Sequence, residues 1–239
     1  MKRFIFTICF FSFFGLFAQD DLLSELDELT AEDEKTTTEY TYGTFKGTRV
    51  INSQSVELTS KGELTLLISH RFGTINEGSY SIWGLDNASM RLGFEYGVTD
   101  FLSVSLGRSS FNKTYDGFYK LKLLRQSKGA KNMPISAVLY SGLTINTIEK
   151  STATKDIKFS SRLSYYNQLI LARKFNSKIS LQVMPTHIHR NVVKTKLDEN
   201  DLFALGTAGR IKLSSRFALT GEYLACLLYT SDAADDSLR

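Results

Sequence analysis

Charged side chains recur at alternate positions of several segments in this chain, with apolar residues between them. In the run GELTLLISHRF, Leu64, Leu66 and Ile68 alternate with polar residues that end at Arg71, and the run ASMRLGFEYG repeats the pattern. Ten charged residues are predicted to share this polar parity and are the candidate functional residues: Arg71, Arg91, Glu95, Arg108, Lys120, Lys122, Arg162, Arg210, Lys212 and Glu222. If they line an enclosed watery interior, their excess of positive charge would favour small anions. The alternative is that they pair across the interior and only make it rigid, since barrel interiors are commonly polar whatever their function.

Two histidines, His187 and His189, lie two positions apart and therefore on one face of an extended segment. A metal ion could bridge them if a third ligand approached, but such histidines more often sit at a membrane interface. A hydrolase would need a nucleophile, a base and an orienting group, and no spacing around His70 or the serines singles out such a set. We therefore expect no metal site, no cofactor and no enzyme activity.

The alternation itself predicts β-strands with one apolar face and one polar face. Nine such segments follow one another, each close to the ~9 to 11 residues that a tilted strand needs to cross a membrane. The predicted strands cover residues 62–72, 88–98, 101–109, 117–125, 135–146, 159–174, 178–189, 202–213 and 216–225. Within the seventh of them, Pro185 removes a backbone donor and predicts a bulge or an early end of the strand.

The connections between the predicted strands alternate between long and short. Long ones cover residues 73–87, 147–158 and 190–201, with a tighter one at 110–116, and short ones cover residues 99–100, 126–134, 175–177 and 214–215. Outer-membrane barrels have tight periplasmic turns and longer loops outside, so the predicted fold class is all-β, an antiparallel up-and-down transmembrane β-barrel. Because bacterial barrels normally have an even number of strands, nine strands predict a barrel truncated at its C-terminus, with about twelve strands when intact.

The amino-terminal part is predicted to direct export. Lys2 and Arg3 precede an apolar run that ends at Ala18, so residues 1–18 are interpreted as a signal peptide. Residues 19–43 form an acidic periplasmic leader, whose leucines at helical spacing favour a short helix, with a solvated leader as the alternative. The barrel domain is predicted over residues 44–225, and its first nine residues suit either an extra strand or a lead-in segment.

The carboxyl-terminal run CLLYTSDAADD is similar to the conceptual translation of a sequencing adapter. Residues 226–239 are therefore interpreted as a non-native tail and are excluded from reasoning about the fold. Since Cys9 lies in the predicted signal peptide and Cys226 in this tail, the mature native chain is expected to have no cysteine, which excludes disulfide and thiolate chemistry.

The net charge of +4 conceals an acidic leader and a basic body. Residues 36–225 carry 25 basic and 14 acidic side chains, which leaves them with a net charge of +11. Exported amphipathic strands offer no helix that would read a nucleic acid, so we expect no nucleic-acid partner. The expected counter-charges are lipopolysaccharide phosphates or small anions in the lumen.

Several runs of the sequence are specific enough to indicate a family. They are KGELTLLISHRFGTINEG, IWGLDNASMRLGFEYGVTD, GRSSFNKTYDGFYKLKLLRQSKGAKNMP, LQVMPTHIHRN and NDLFALGTAGRIKLS. Over about residues 44–222, the chain resembles the uncharacterised β-barrel family, a domain of unknown function, found in exported proteins of Bacteroidota. The resemblance implies a barrel with an outer-membrane address and further strands beyond the run CLLYT, and it implies no catalytic residues.

The sequence thus favours an outer-membrane β-barrel that is porin-like or associated with transport and has a basic polar lumen. One alternative is a structural or ligand-binding barrel that acts through its extracellular loops, residues 73–87 and 190–201. Another is a soluble periplasmic β-protein whose apolar parity packs a core. The expected partners are outer-membrane lipid, lipopolysaccharide, the barrel-assembly machinery and small anions.

Overall fold

The computed structural model of the chain describes residues 37–148, 158–193 and 198–227. The predicted signal peptide, most of the predicted acidic leader with its helix, and most of the predicted foreign tail lie outside these residues. The chain divides into two compact units. The smaller one contains the described residues 37–41 and residues 126–134, and the larger one contains residues 42–125 and the described residues from 135 onward.

Eleven strands are present among the described residues. They are β1 (Thr38–Tyr40), β2 (Leu64–Arg71), β3 (Ser89–Thr99), β4 (Leu102–Ser109), β5 (Thr114–Leu124), β6 (Ser127–Gly129), β7 (Ser136–Asn146), β8 (Leu163–Lys174), β9 (Ile179–Arg190), β10 (Asp201–Lys212) and β11 (Ala218–Cys226). In the smaller unit, β1 pairs with β6 in antiparallel orientation, so that Glu39 lies opposite Lys128. The stretch 126–134, predicted as a simple turn, therefore carries a strand of its own.

The other nine strands form one antiparallel sheet in the order β2-β3-β4-β5-β7-β8-β9-β10-β11. Each of them pairs with the next of the nine along the chain, which is the up-and-down connection that the alternating long and short connections predict. The predicted all-β fold class with nine strands is therefore confirmed. Strands β2 and β11 are the two edges of the sheet, and within the described residues no ladder joins them.

The two faces of the sheet differ sharply in exposure. The apolar side chains of Leu64, Leu66 and Ile68 are 65%, 52% and 55% exposed, whereas Glu95 and Lys120 on the opposite face are fully buried. We call the face with these leucines the outer face and the face with Glu95 the inner face. Water-soluble proteins normally bury apolar side chains and expose charged ones, so this reversed arrangement is the one expected when lipid covers the outer face.

Pro185 does not end its strand. β9 continues through it to Arg190, and Pro185 lies opposite Leu205 of β10. On the other side, the pairing with β8 is interrupted between Thr186 and Val183 and resumes in the same register. The predicted bulge or early strand end is therefore wrong. The missing backbone amide of Pro185 interrupts the pairing only locally, and the flanking residue pairs keep the strands in register.

The chain enters β2 by crossing close to Gly97 of β3. The amide of Gly62 donates to the Gly97 carbonyl at 2.7 Å, and the amide of Gly97 donates to the Glu63 carbonyl at 3.0 Å. A β-carbon on Gly97 would overlap the backbone of Ser60, so only glycine permits this approach. The sheet also has an irregular register between Gly97 and Thr99. This crossing brings the preceding residues onto the inner face.

Candidate functional site

Residues 42–60, which we call the lumenal segment, lie against the inner face of the sheet. They contain no strand, only an isolated bridge between Arg49 and Gln54. The segment folds back on itself, because the amide of Val50 donates to the Ser53 carbonyl at 2.9 Å and the amide of Ser55 donates to the Thr48 carbonyl at 3.0 Å. Of the two predictions for residues 44–52, the lead-in segment is therefore the correct one.

The buried side chain of Lys120 holds the middle of this segment. Its Nζ donates to the Thr48 carbonyl at 3.2 Å and to the Glu57 carbonyl. Lys120 lies on the inner face of β5 and is completely buried. A buried ammonium is costly unless hydrogen bonds satisfy it. The Thr48 and Glu57 carbonyls therefore satisfy the Lys120 ammonium. Lys120 in turn fixes the segment to the inner face of the sheet, which we call the wall.

Glu222 of β11 holds the tip of the same segment. Its carboxylate accepts from the backbone amides of Ile51, Asn52 and Ser53 at 3.3, 2.8 and 3.1 Å. The Ser53 hydroxyl donates to it as well, at 2.6 Å. Three successive amides converging on one carboxylate form an anion-binding nest, so Glu222 determines where the turn sits.

Two further polar contacts add to the attachment. The Gln182 side-chain amide of β9 donates to the Gln54 carbonyl at 2.7 Å. Within the segment, the Glu57 carboxylate accepts from the amide of Thr44 at 2.7 Å and so ties its beginning to its end. The segment is thus fixed to strands β5, β9 and β11, which lie far apart along the chain.

An apolar cluster supports these hydrogen bonds. Phe45 and Val56 of the segment, both 3% exposed, pack with inner-face residues of four strands. The wall residues of this cluster are Val138, Ile170, Ala172, Met184 and Ala208. Burying a phenylalanine side chain contributes about 1.5 to 3 kcal/mol relative to leaving it exposed. The interior is therefore occupied by protein at the level of this cluster.

Arg91 pairs with Asp116, which is not among the residues predicted to line the interior. Its Nε donates to Asp116 Oδ1 at 2.8 Å, and its Nη2 donates to the other carboxylate oxygen. Asp116 was assigned to a connection, but it lies in β5 on the inner face. Gly93 and Gly107 leave the room for the guanidinium, because a β-carbon on Gly107 would lie 2.7 Å from Arg91 Cζ. This pair joins two inner-face charges along the sheet, from β3 to β5 across β4, and leaves the pairing of charges across the interior a prediction.

Of the two acidic candidates, Glu95 is the one that is fully buried. Both of its carboxylate oxygens lack a hydrogen-bond partner, and so do the buried hydroxyls of Ser103 and Ser105 on the neighbouring strand. Ser105 lies directly opposite Glu95 in the ladder. These oxygens form a polar patch of the kind that ordered water fills in protein interiors.

The other basic candidates on the inner face have few partners. Arg210 and Lys212 lie on the inner parity of β10, and Lys122 lies beside Lys120 on β5. Arg71 approaches the lumenal segment, with its Nη2 3.5 Å from Asn52 Oδ1. Among the described residues, no carboxylate lies within ion-pair distance of any of these four side chains.

Two of the predicted lumenal residues lie elsewhere. Arg108 shares the parity of Val104 and Leu106, so it belongs to the outer face, and its guanidinium lies 5.4 Å from the centre of the Tyr115 ring. Arg162 lies in a turn, Phe159–Arg162, that precedes β8, and its side chain is exposed. Arg108 continues the apolar parity of Val104 and Leu106 at the end of β4, and Arg162 precedes β8, which begins at Leu163, four residues after the predicted start at residue 159.

A basic residue of the lumenal segment was not among the candidates. Arg49 lies next to the inner-face cations, and its buried Nε has no hydrogen-bond partner. Burial, followed by the positive charge of Arg91, lowers the pKa of the Arg49 guanidinium from its ordinary value. Its position depends on the fold-back of the segment, which no local pattern predicts.

His187 and His189 form a small cluster with Asp201 on the outer face. Asp201 Oδ1 lies 2.9 Å from His187 Nε2 and 2.8 Å from His189 Nδ1. Both histidines contact the same oxygen, so the cluster is joined by hydrogen bonds. Among the residues that the structure describes, no group of histidine, cysteine and acidic side chains has the arrangement of a metal site.

No helix within the described ranges is long and apolar enough to cross a membrane.

Comparison with known proteins agrees with the architecture of the larger unit. The family model described as membrane bound beta barrel domain (DUF5777) matches residues 45–238. No curated protein and no solved structure matches the chain. The matched range includes most of the lumenal segment, all nine strands of the sheet and the stretch from Cys226, whose foreign origin stays a prediction, as does a source in Bacteroidota. Since this range covers most of the sequence, the chain belongs to the family of membrane-bound β-barrel domains of unknown function.

Proposed function

We propose that this domain is a transport-associated barrel of the outer membrane, with a basic lumen that the lumenal segment closes at rest. Small anions would then pass only when the segment moves away from the wall. The observation that carries the proposal is the attachment of the segment through Lys120, Gln182 and Glu222, three polar side chains of the wall. When the segment moves away from the wall, water can hydrogen-bond to these side chains in its place.

The charge of the inner face supports a preference for anions. Arg71, Lys122, Arg210 and Lys212 carry no ion pair to a described carboxylate, whereas Glu222 is already neutralised in part by three backbone amides. A lumen with unpaired cations raises the local concentration of anions and repels cations.

A second candidate is a structural or ligand-binding barrel that acts through its longer loops. The apolar cluster around Phe45 and Ile170 favours it, because such packing keeps the lumenal segment permanently in place. In that case the interior would serve stability, and partners would bind at the long connections outside the membrane.

The remaining parts of the proposal concern location and partners. The predicted signal peptide, the membrane-bound family and the exposed apolar outer face support the proposed outer-membrane address. Outer-membrane lipid, lipopolysaccharide and the barrel-assembly machinery would be its partners there. We propose no catalytic role for this domain.

The experiment that tests the proposal is ion conductance, in planar lipid bilayers, of the purified protein with its barrel complete. For the wild type we expect rare openings with a reversal potential that indicates selectivity for anions. We expect more frequent openings in Glu222→Gln, because this change weakens the hydrogen bonds that hold the tip of the segment. Glu63→Gln, a matched change at an exposed carboxylate whose side chain makes no hydrogen bond or ion pair with the described residues of the segment, should behave as the wild type. Openings that favour cations would contradict the anion preference, and the absence of openings in every variant would favour the second candidate.

A further inference from the structure

A cavity of about 410 Å³ lies between the lumenal segment and strands β8, β10 and β11. Six basic side chains line it: Lys46, Arg49, Lys174, Arg210, Lys212 and Arg216. No aspartate or glutamate is among the described residues that line it. Residues of the turns that follow β8 and β10, among them Ser177 and Ser215, form part of its wall. The cavity therefore lies at the short-turn end of the sheet, which is the periplasmic end in outer-membrane barrels.

We propose that this cavity is a binding site for a multivalent, phosphate-bearing anion. The inference deepens the proposed function and rests on it in one respect, that the inner face is an aqueous lumen and not a lipid-covered surface. The proposed site adds the class of ligand that the basic lumen would bind and the place where this ligand would bind.

The charge of the side chains that line the cavity supports a multivalent anion as the ligand. Lys46, Arg210, Lys212 and Arg216 form no ion pair with a described carboxylate, and the Arg49 guanidinium leaves its buried Nε without a partner. Positive charges gathered in one partly enclosed space repel each other, and a multivalent anion reverses that interaction. A monovalent anion would neutralise only one of them, so the number of cations points to a ligand with several negative charges.

The hydrogen-bond donors that line the cavity support phosphate as the ligand. Three of the lining cations are arginines, whose planar guanidinium groups donate pairs of parallel hydrogen bonds that match phosphate oxygens. The hydroxyls of Ser177, Ser215 and Thr220 add neutral donors at the cavity wall. This mixture of arginine, lysine and hydroxyl groups is the chemistry by which proteins recognise phosphate.

The cations that line the cavity belong to two separate parts of the fold. Lys46 and Arg49 belong to the lumenal segment, whereas Arg210 and Lys212 belong to the wall. An anion bound between them would join the segment to the wall. Its binding should therefore stabilise the closed arrangement and raise the melting temperature.

The test is isothermal titration of the purified full chain in detergent with pyrophosphate, against chloride at equal ionic strength. We expect saturable binding of pyrophosphate and a loss of at least tenfold in affinity in the double variant Arg210→Gln/Lys212→Gln. The charge-preserving variant Arg210→Lys/Lys212→Arg should keep most of the affinity, which separates loss of charge from loss of folding. Lys113→Gln, at the opposite end of the sheet, is the matched control and should bind as the wild type.

A second arm distinguishes a soluble ligand from a lipid headgroup. The chain is placed in nanodiscs with and without phosphatidylglycerol, and pyrophosphate is titrated into both. Weaker pyrophosphate binding in the anionic discs, dependent on Arg210 and Lys212, identifies a headgroup as the natural source, and equal binding identifies a soluble phosphate. Either result supports a phosphate site.

Two outcomes would overturn the inference. One is the absence of saturable pyrophosphate binding by the wild type, and the other is an unchanged affinity in a folded Arg210→Gln/Lys212→Gln variant. Anion conductance without pyrophosphate binding would remove this site and leave the proposed function intact. Binding without conductance in any variant would remove the transport proposal and leave the site intact.

Discussion

Replacing Glu222 by glutamine is expected to loosen the tip of the lumenal segment while leaving the sheet unchanged. One carboxylate oxygen accepts from the Asn52 amide, and the other accepts from the amides of Ile51 and Ser53 and from the Ser53 hydroxyl. Glutamine has the same length, but one end of its side-chain amide is an NH₂ group, which cannot accept these hydrogen bonds. In its better orientation, the variant still loses the Asn52 contact and the negative charge.

The size of the effect follows from these contacts. Hydrogen bonds to a charged group contribute about 1.5 to 3 kcal/mol each, and the exposed Asn52 amide recovers part of this by binding water. The loss of charge weakens the remaining contacts as well. We therefore expect the local opening of residues 51–53 to become easier by ~2 kcal/mol, which corresponds to about a 30-fold larger open population.

Amide hydrogen exchange measures this opening directly. The amides of Ile51, Asn52 and Ser53 should exchange about 30-fold faster in Glu222→Gln than in the wild type, whereas amides in the β7–β8 ladder should not change. Glu63→Gln provides the control for loss of one negative charge. Unchanged exchange at residues 51–53 in a folded Glu222→Gln variant would refute the claim that this carboxylate holds the segment.

Three further predictions concern the wall. Gly107→Ala should lower the free energy of unfolding, measured by thermal denaturation, by about 1 to 3 kcal/mol, because its β-carbon would press on the Arg91 guanidinium that pairs with Asp116. The control Gly221→Ala, which has open space around its new β-carbon, should have little effect. Ile170→Ala should destabilise the folded chain by about 2 to 5 kcal/mol in urea titrations by leaving a cavity beside Phe45 and Val56, and a loss below 1 kcal/mol would show that the apolar cluster is loosely packed. Leu106→Arg on the outer face should lower folding stability in lipid vesicles by about 2 to 4 kcal/mol if it lies near the bilayer centre, and no change would mean that water already reaches this side chain.

Local alternation was sufficient to predict the strands, because each side chain of a strand points to the face that its parity dictates. Leu64, Leu66 and Ile68 are exposed on the outer face as predicted, and Glu95 and Lys120 are buried on the inner one. The alternation of long and short connections likewise predicted the up-and-down order. The wrong assignments lie near strand ends, because Arg108 continues the outer parity at the end of β4 and Arg162 precedes a strand that begins four residues later than predicted.

The attachment of the lumenal segment could not be predicted in the same way. Gln54, Thr48 and Glu57 contact wall residues that are 128, 72 and 63 positions away in the sequence. The segment has no periodic pattern, since it is neither a strand nor a helix, and its backbone groups are satisfied by side chains of the wall. Its glycines and small polar residues are compatible with many conformations. Only the folded sheet selects among them.

The most direct test of the account is a spin-label accessibility scan along β2 in lipid vesicles. Single cysteines at Thr65, Leu66, Leu67 and Ile68, in a background without Cys9 and Cys226, would carry the label. If the outer face meets lipid, labels at Leu66 and Ile68 should collide with dissolved oxygen, while labels at Thr65 and Leu67 should be shielded from oxygen, with a period of two residues. Equal access of a water-soluble nickel chelate to all four positions would contradict the membrane-bound barrel and, with it, the lumenal site.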